Sequence, residues 1–94
     1  MAKRVTLFPK PDPSSSVDAQ WLGALIRHKR TSVKMTLEDA AGLCGLSKQA
    51  YNNVELGVEN SRVESLFKAL NGMGIKLSVI ETVEITDDWG NFDG

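Results

Sequence analysis

The sequence has one cysteine, one histidine and few aromatic residues, only 6% of the chain. A lone cysteine cannot close an internal disulfide or build a cysteine-based zinc site, and His28 alone offers no ligand cluster to replace one. Disulfide scaffolds and zinc fingers are excluded, and no cofactor or metal is expected. No apolar run approaches the roughly 20 residues of a membrane helix. The basic start, Met1 to Arg4, leads into Pro-rich polar sequence rather than a signal-peptide core. A cytoplasmic chain with no membrane partner is therefore expected. A chain of 94 residues buries only roughly 60 to 70% of the surface its unfolded form exposes. It forms one modest core and is a candidate for stabilisation by a second copy. With no nucleophile–base pair, carboxylate dyad or metal cluster in view, an enzyme is the class the sequence supports least.

The formal net charge is only -1, which weighs against nucleic acid if it is spread evenly, because phosphate affinity depends on Lys and Arg. It is not spread evenly. Residues 1–34 hold Lys3, Arg4, Lys10, Arg27, Lys29, Arg30 and Lys34 against Asp12 and Asp18, a local +5. Residues 35–80 come to -1, and residues 81–94 hold five acids with no basic residue, a local -5. A basic front is cancelled by an acidic tail.

Along the chain, Arg4 to Phe8 reads either as a short edge strand or as a disordered arm. The three prolines, Pro9, Pro11 and Pro13, make residues 9–15 a linker that cannot sustain a helix. Helical periodicity starts after Ser16, a candidate N-cap, with Trp21, Leu22, Leu25 and Ile26 on one face. Thr36 and Asp39 resemble a capping box opening a second helix that Gly45 ends. Ser47 caps a third, Lys48 to Leu56, stopped by Gly57. Ser61 and Glu64 form a further capping box before the stripe Val63, Leu66, Phe67, Leu70 and Met73, and Gly72 and Gly74 close that helix. The period then changes to two, with Ile75, Leu77 and Val79 on one face of a strand. A lone strand has no neighbour in so small a domain, so pairing with the same strand of a second subunit is expected. The fold class expected is mainly α: four helices over 16–74, a strand over 75–84 that pairs across a dimer, an N-terminal arm and linker over 1–15, and an acidic flexible tail over 85–94.

Two short helices joined through Gly45-Leu46-Ser47 form a tight helix-turn-helix. With Ala50, Tyr51 and Val54 inward, the third helix presents Lys48, Gln49, Asn52 and Asn53 outward. Amides can pair bidentately with adenine, and lysine donates to guanine, so this face suits base edges in the major groove. A solvated helix face has the same composition, and only the register relative to Gly45 favours the DNA reading.

The stretch from Thr36 to Gly57, with its Gly-Leu-Ser turn and its closing Glu55-Leu56-Gly57, resembles the helix-turn-helix of the phage-repressor (XRE/Cro) superfamily. The resemblance spans about residues 18–74. Passing directly from the fourth helix into Gly74-Ile75-Lys76-Leu77-Ser78-Val79-Ile80 is similar, within that superfamily, to the HipB-type antitoxins. The resemblance implies a homodimer that binds a double-stranded DNA operator, represses its own operon and binds a HipA-like kinase toxin. By position, Lys48, Gln49, Asn52 and Asn53 would face base edges, with Ser47 and Thr36 against phosphate. The sequence departs from the family at Leu37, where a Gln usually contacts the backbone; Thr36 or neighbouring amides would then take its place. Gly42 also departs, at a cost of about 1 kcal/mol relative to Ala in an exposed helix, with close helix packing as a candidate reason.

Arg27, Lys29, Arg30 and Lys34 fit phosphates beside the groove and fit a solubilising charge run equally well. His28 is expected to be exposed, Cys44 to be a small core residue, and Tyr51 to be core with its hydroxyl reaching the helix surface. Trp89 and Phe92 in the acidic tail fit a peptide that docks on a toxin, and equally a segment folded back on the dimer strands. A stand-alone XRE-family regulator without a toxin, or an interaction module that has lost DNA binding, are the alternatives to the antitoxin.

Overall fold

The computed structural model describes residues 5–81 and contains four helices in that range. They are α1 (Ala19–Ser32), α2 (Leu37–Cys44), α3 (Lys48–Leu56) and α4 (Val63–Gly72). Three begin at side-chain caps that satisfy orphan amides of the first turn. Asp18 accepts from the Trp21 amide at 2.8 Å, Thr36 from Asp39 at 3.1 Å and Ser47 from Ala50 at 3.1 Å. The α1 cap is thus Asp18 and not Ser16, because the short carboxylate itself reaches the amide three residues on. The expected box at Ser61 and Glu64 is also absent. Helix α4 starts after Arg62 with no side-chain cap, and the Ser61 hydroxyl instead donates to the Asn53 carbonyl at the end of α3.

All four helices end the same way. The amides of Met35, Leu46, Val58 and Ile75 donate back to the carbonyls of Arg30, Ala41, Asn53 and Leu70 at 3.1, 2.9, 3.1 and 2.8 Å. The residue before each donor lies in the left-handed region, at Lys34, Gly45, Gly57 and Gly74. This closure favours glycine because it has no Cβ to collide with the preceding carbonyl. Lys34, at φ 59°, is the only non-glycine with positive φ among the described residues.

Helix α3 is the hub, packing on α1, α2 and α4, while α4 also packs on α2. Ile26, Ala40, Tyr51, Val54, Ala69 and Leu70 are almost fully enclosed between them. Full burial of an Ile, Leu or Val side chain stabilises by about 1.5 to 3 kcal/mol, and helices of 8 and 9 residues are marginal without such packing. Leu25 and Trp21 are half-buried, and Leu43, Val63 and Phe67 lie largely in solvent. The apolar stripe expected on α4 therefore covers the core only through Leu66, Leu70 and Met73.

Residues 5–8 and 75–81 adopt no regular secondary structure. A strand that pairs only across a dimer has no partner within one chain; Ile75 packs on the core, while Leu77 and Val79 are exposed. The rest of the expected strand, the acidic tail, Trp89 and Phe92 lie outside the described residues.

Two glycines set the helix spacing, and a third does not. A Cβ on Gly23 would collide with the Val54 carbonyl oxygen and lie 2.6 Å from that of Glu55, so α1 and the end of α3 can approach only with glycine there. Gly72 likewise sits against Cys44. At Gly42 a Cβ would meet nothing within 4 Å, so close packing is not its reason. Gly42→Ala is expected to raise stability by about 1 kcal/mol, and Gly23→Ala to lower it by about 1 to 3 kcal/mol through overpacking. Denaturant midpoints of the two variants check both signs, and a stabilised Gly23→Ala would contradict the close approach.

Candidate nucleic-acid interface

The N-terminal end of α3 and its neighbours form the most chemically pointed surface among the described residues. Lys48 and Gln49 are exposed and Asn52 and Asn53 are half-buried, with Tyr51 and Val54 turned into the core. Asn53 lines a 190 Å³ cleft with Asn60, Ser61, Arg62 and Ser65. Beside Lys48 lies a groove of about 280 Å³, bounded by Arg27, Arg30 and Thr31 of α1, by Thr36, Leu37 and Glu38 at the start of α2, and by Val5 and Thr6. Lys48 Nζ lies 3.7 Å from Glu38 Oε2, with both side chains more than half exposed. Such a pair contributes little, so a competing anion can displace Glu38.

The expected phosphate residues separate. Arg27, Thr36 and Lys48 meet at the groove. The Arg27 guanidinium lies 4.3 Å from the centre of the Phe8 ring, a cation–π contact that holds it in place. Ser47 and Thr36 use their hydroxyl oxygens as helix caps. Lys34 is exposed beyond the end of α1, and the Lys29 ammonium lies toward Gly74 at the far end of α4.

Arg30 is placed differently again. It is buried, donating to Glu55 Oε2 from Nε at 2.6 Å, to Oε1 from Nη2 at 3.1 Å and to the Met35 carbonyl from Nη1 at 2.9 Å. Burial alone would lower its pKa, but the hydrogen bonds and charge of Glu55 raise it, so it stays a cation. The guanidinium is already committed and is not a free phosphate ligand. Its work is to fix α1 to the last turn of α3. The sequence reading missed this because the partner carboxylate is 25 residues away.

The helix-turn-helix family model matches residues 26–80, more than half of the chain. The chain belongs to this family. It is an XRE-type, DNA-binding transcription regulator. No curated protein matches its sequence significantly. Among solved structures, the regulator is similar to the HipA-HipB-O2-O3 complex, with 17% identity, a TM-score of 0.65, and coverage of 74% of this chain and 99% of that one. It is also similar to the HipB-O4 20mer complex, with 16% identity, a TM-score of 0.64 and the same coverage. At these identities the likeness is one of fold.

In this regulator Tyr51 packs beneath the presented face, fully buried, and its hydroxyl does not reach the helix surface as expected. The hydroxyl has no hydrogen-bond partner among the described residues. Burial, and then the adjoining Glu55 carboxylate, hold the phenol well above its ordinary pKa. Burial likewise raises the Cys44 thiol, which leans on the Ala69 carbonyl. Arg62, beside Asn53 in its cleft, is the cation the sequence reading passed over. Its signal was available: an exposed arginine in the loop that follows the presented helix.

The Tyr51 shift has a definite sign. A folded-state pKa above the unfolded value of about 10 leaves stability intact below pH 10 and erodes it above, as only the unfolded phenol ionises. Each further pH unit removes about 1.4 kcal/mol. Tyr51→Phe is expected to remove that component, so the alkaline decline in unfolding free energy becomes shallower than in the wild type. Equal declines between pH 10 and 11 would contradict the burial.

Proposed function

We propose that this regulator is the antitoxin of a HipA/HipB-like toxin–antitoxin pair, working in the cytoplasm as a homodimer that represses its own operon. The observation that carries the DNA half is the exposed, polar N-terminal end of α3 set beside a groove that gathers Arg27, Thr36 and Lys48. Lys48, Gln49, Asn52 and Asn53 read base edges in the major groove. Arg27, Lys34, Thr36 and the start of α3 at Ser47 meet phosphate, and Arg62 adds a contact beside Asn53. Arg30 acts behind them as scaffold. Dimerisation through the segment of Ile75, Leu77 and Val79 would cover Leu77 and Val79, which one chain leaves in water, Val79 at 87% exposure. A two-fold dimer implies half-sites about 34 Å apart, or a multiple of that.

The toxin half is supported by the shared fold with HipB, which one of the similar structures holds together with HipA. Trp89 and Phe92 are the proposed toxin anchors. The second reading, a regulator with no toxin, is favoured by the low identity to HipB, since toxin contacts are not fixed by fold. Co-purification with the product of the adjacent gene separates the two: a stable kinase-like complex supports the antitoxin, and its absence supports the regulator. For DNA, Gln49→Ala is expected to weaken operator binding by about 1 to 3 kcal/mol, roughly 5- to 150-fold, with unchanged melting. Undiminished affinity and specificity in a gel shift would remove Gln49 from the reading face.

A further inference from the structure

A Pro-rich strap ahead of the helices is fastened to α1 through the backbone of Phe8. The Phe8 amide donates to Thr31 Oγ1 and His28 Nδ1 donates to the Phe8 carbonyl, both at 2.8 Å. The Thr31 hydroxyl in turn donates to the Arg27 carbonyl at 2.9 Å, so it bridges helix and strap. Farther along, Trp21 Nε1 donates to the Asp12 carbonyl at 2.8 Å. Between these ties Pro9 and Pro11 keep the chain extended at low entropic cost. The spans agree: four residues of such chain cover about 12 Å, and the seven helical residues from Trp21 to His28 rise about 10 Å. Both polar groups of the Phe8 backbone are thus satisfied at one place on α1, which fixes where its ring can lie.

That place is beside Arg27. Arg27 and Thr31, four residues apart, are neighbours on the surface of α1. The tie to Thr31 brings the Phe8 ring under the Arg27 guanidinium, whose carbon lies 4.3 Å from the ring centroid. Arg27 is exposed and lines the groove that also holds Thr36 and Lys48. An exposed arginine samples many rotamers, and ordering it on a phosphate is costly. A ring beneath it lowers that cost while drawing on the charge of the cation and not on the N–H donors that a phosphate needs. A carboxylate partner would take those donors, as Glu55 does from Arg30.

We propose that Phe8 is a positioning residue for DNA binding: held on α1 by Thr31 and His28, it presents Arg27 to the phosphate backbone at the groove beside Lys48. The inference rests on the DNA-binding reading of this chain and adds to it a residue outside the matched stretch 26–80.

Phe8→Leu tests this role without altering any charge, and it keeps an apolar side chain on α1. Binding of the full chain to a random-sequence DNA duplex, whose affinity is almost wholly electrostatic, is followed by fluorescence anisotropy across a salt series. Arg27→Ala is expected to reduce the slope of log affinity against log salt by about 1. Phe8→Leu is expected to weaken binding by about two- to fivefold with unchanged melting, and Phe8→Trp to restore it, since Trp is the best partner for a cation. Added to Arg27→Ala, Phe8→Leu is expected to cost nothing further. An equal loss from Phe8→Leu with and without Arg27 overturns the proposal, as does undiminished binding in Phe8→Leu. Proton NMR of the Arg27 side chain gives a readout that needs no DNA: the ring current is expected to shift its signals upfield in the wild type and release them in Phe8→Leu, and unshifted wild-type signals also overturn the proposal. A wild-type chain that does not bind the duplex removes the DNA reading, whereas binding without coupling between the two residues removes the positioning role alone.

Discussion

The buried pair of Arg30 and Glu55 is the interaction on which the arrangement of this protein depends. One guanidinium joins three parts of the chain: it sits on α1, grips a carboxylate in the last turn of α3, and holds the Met35 carbonyl where α1 turns toward α2. Removing either charge would strand the other in the core, at a cost of about 3 to 5 kcal/mol. A well-packed apolar pair could stabilise the core equally, so the pair matters chiefly for geometry. Gly23 completes it, letting α1 come down directly onto the Val54 and Glu55 carbonyls. The C-terminal end of α3 is thereby fixed against α1, and its N-terminal end projects with Lys48 and Gln49 in solvent.

That division of labour gives so short a helix the rigidity that the proposed reading role requires. Its inward residues, Tyr51 and Val54, are enclosed, and its ends are closed by Ser47 and by Gly57. Little freedom remains to be lost on docking, which favours affinity. The electrostatics follow the same layout. The cation locked inside the core is neutralised by Glu55, whereas Arg27 and Lys48 remain at the surface, one against an aromatic ring and the other beside a displaceable carboxylate. The small net charge of the chain therefore says little about the face proposed to meet DNA.

Features governed by neighbours in sequence were legible without coordinates. Caps at Thr36 and Ser47 and left-handed closures at Gly45 and Gly57 follow from residues within a few positions of one another, and so do the bounds of α2 and α3. Features that depend on distant partners were not. Ser61 looked like a cap because Glu64 follows it, but its hydroxyl donates to the Asn53 carbonyl instead. Arg30 looked like its basic neighbours until Glu55 was placed beside it, and the Tyr51 hydroxyl is buried because α1 lies over it with that same pair. Of the candidate site, the α3 face was readable from register, whereas the groove, with Thr6 walling it from outside the helix-turn-helix, needed the tertiary fold.

The central claim is that DNA meets the N-terminal end of α3 and the groove beside it, on a scaffold set by Arg30 and Glu55. The most direct test is a map of backbone amide chemical shifts as the 15N-labelled protein is titrated with duplex DNA. The expected result is a contiguous set of perturbations at Thr6, Arg27, Thr36 and Lys48 to Asn53, with Arg30 and Glu55 side-chain signals holding their buried values. Perturbations centred on α4 and residues 75–81, with the start of α3 silent, would contradict the account.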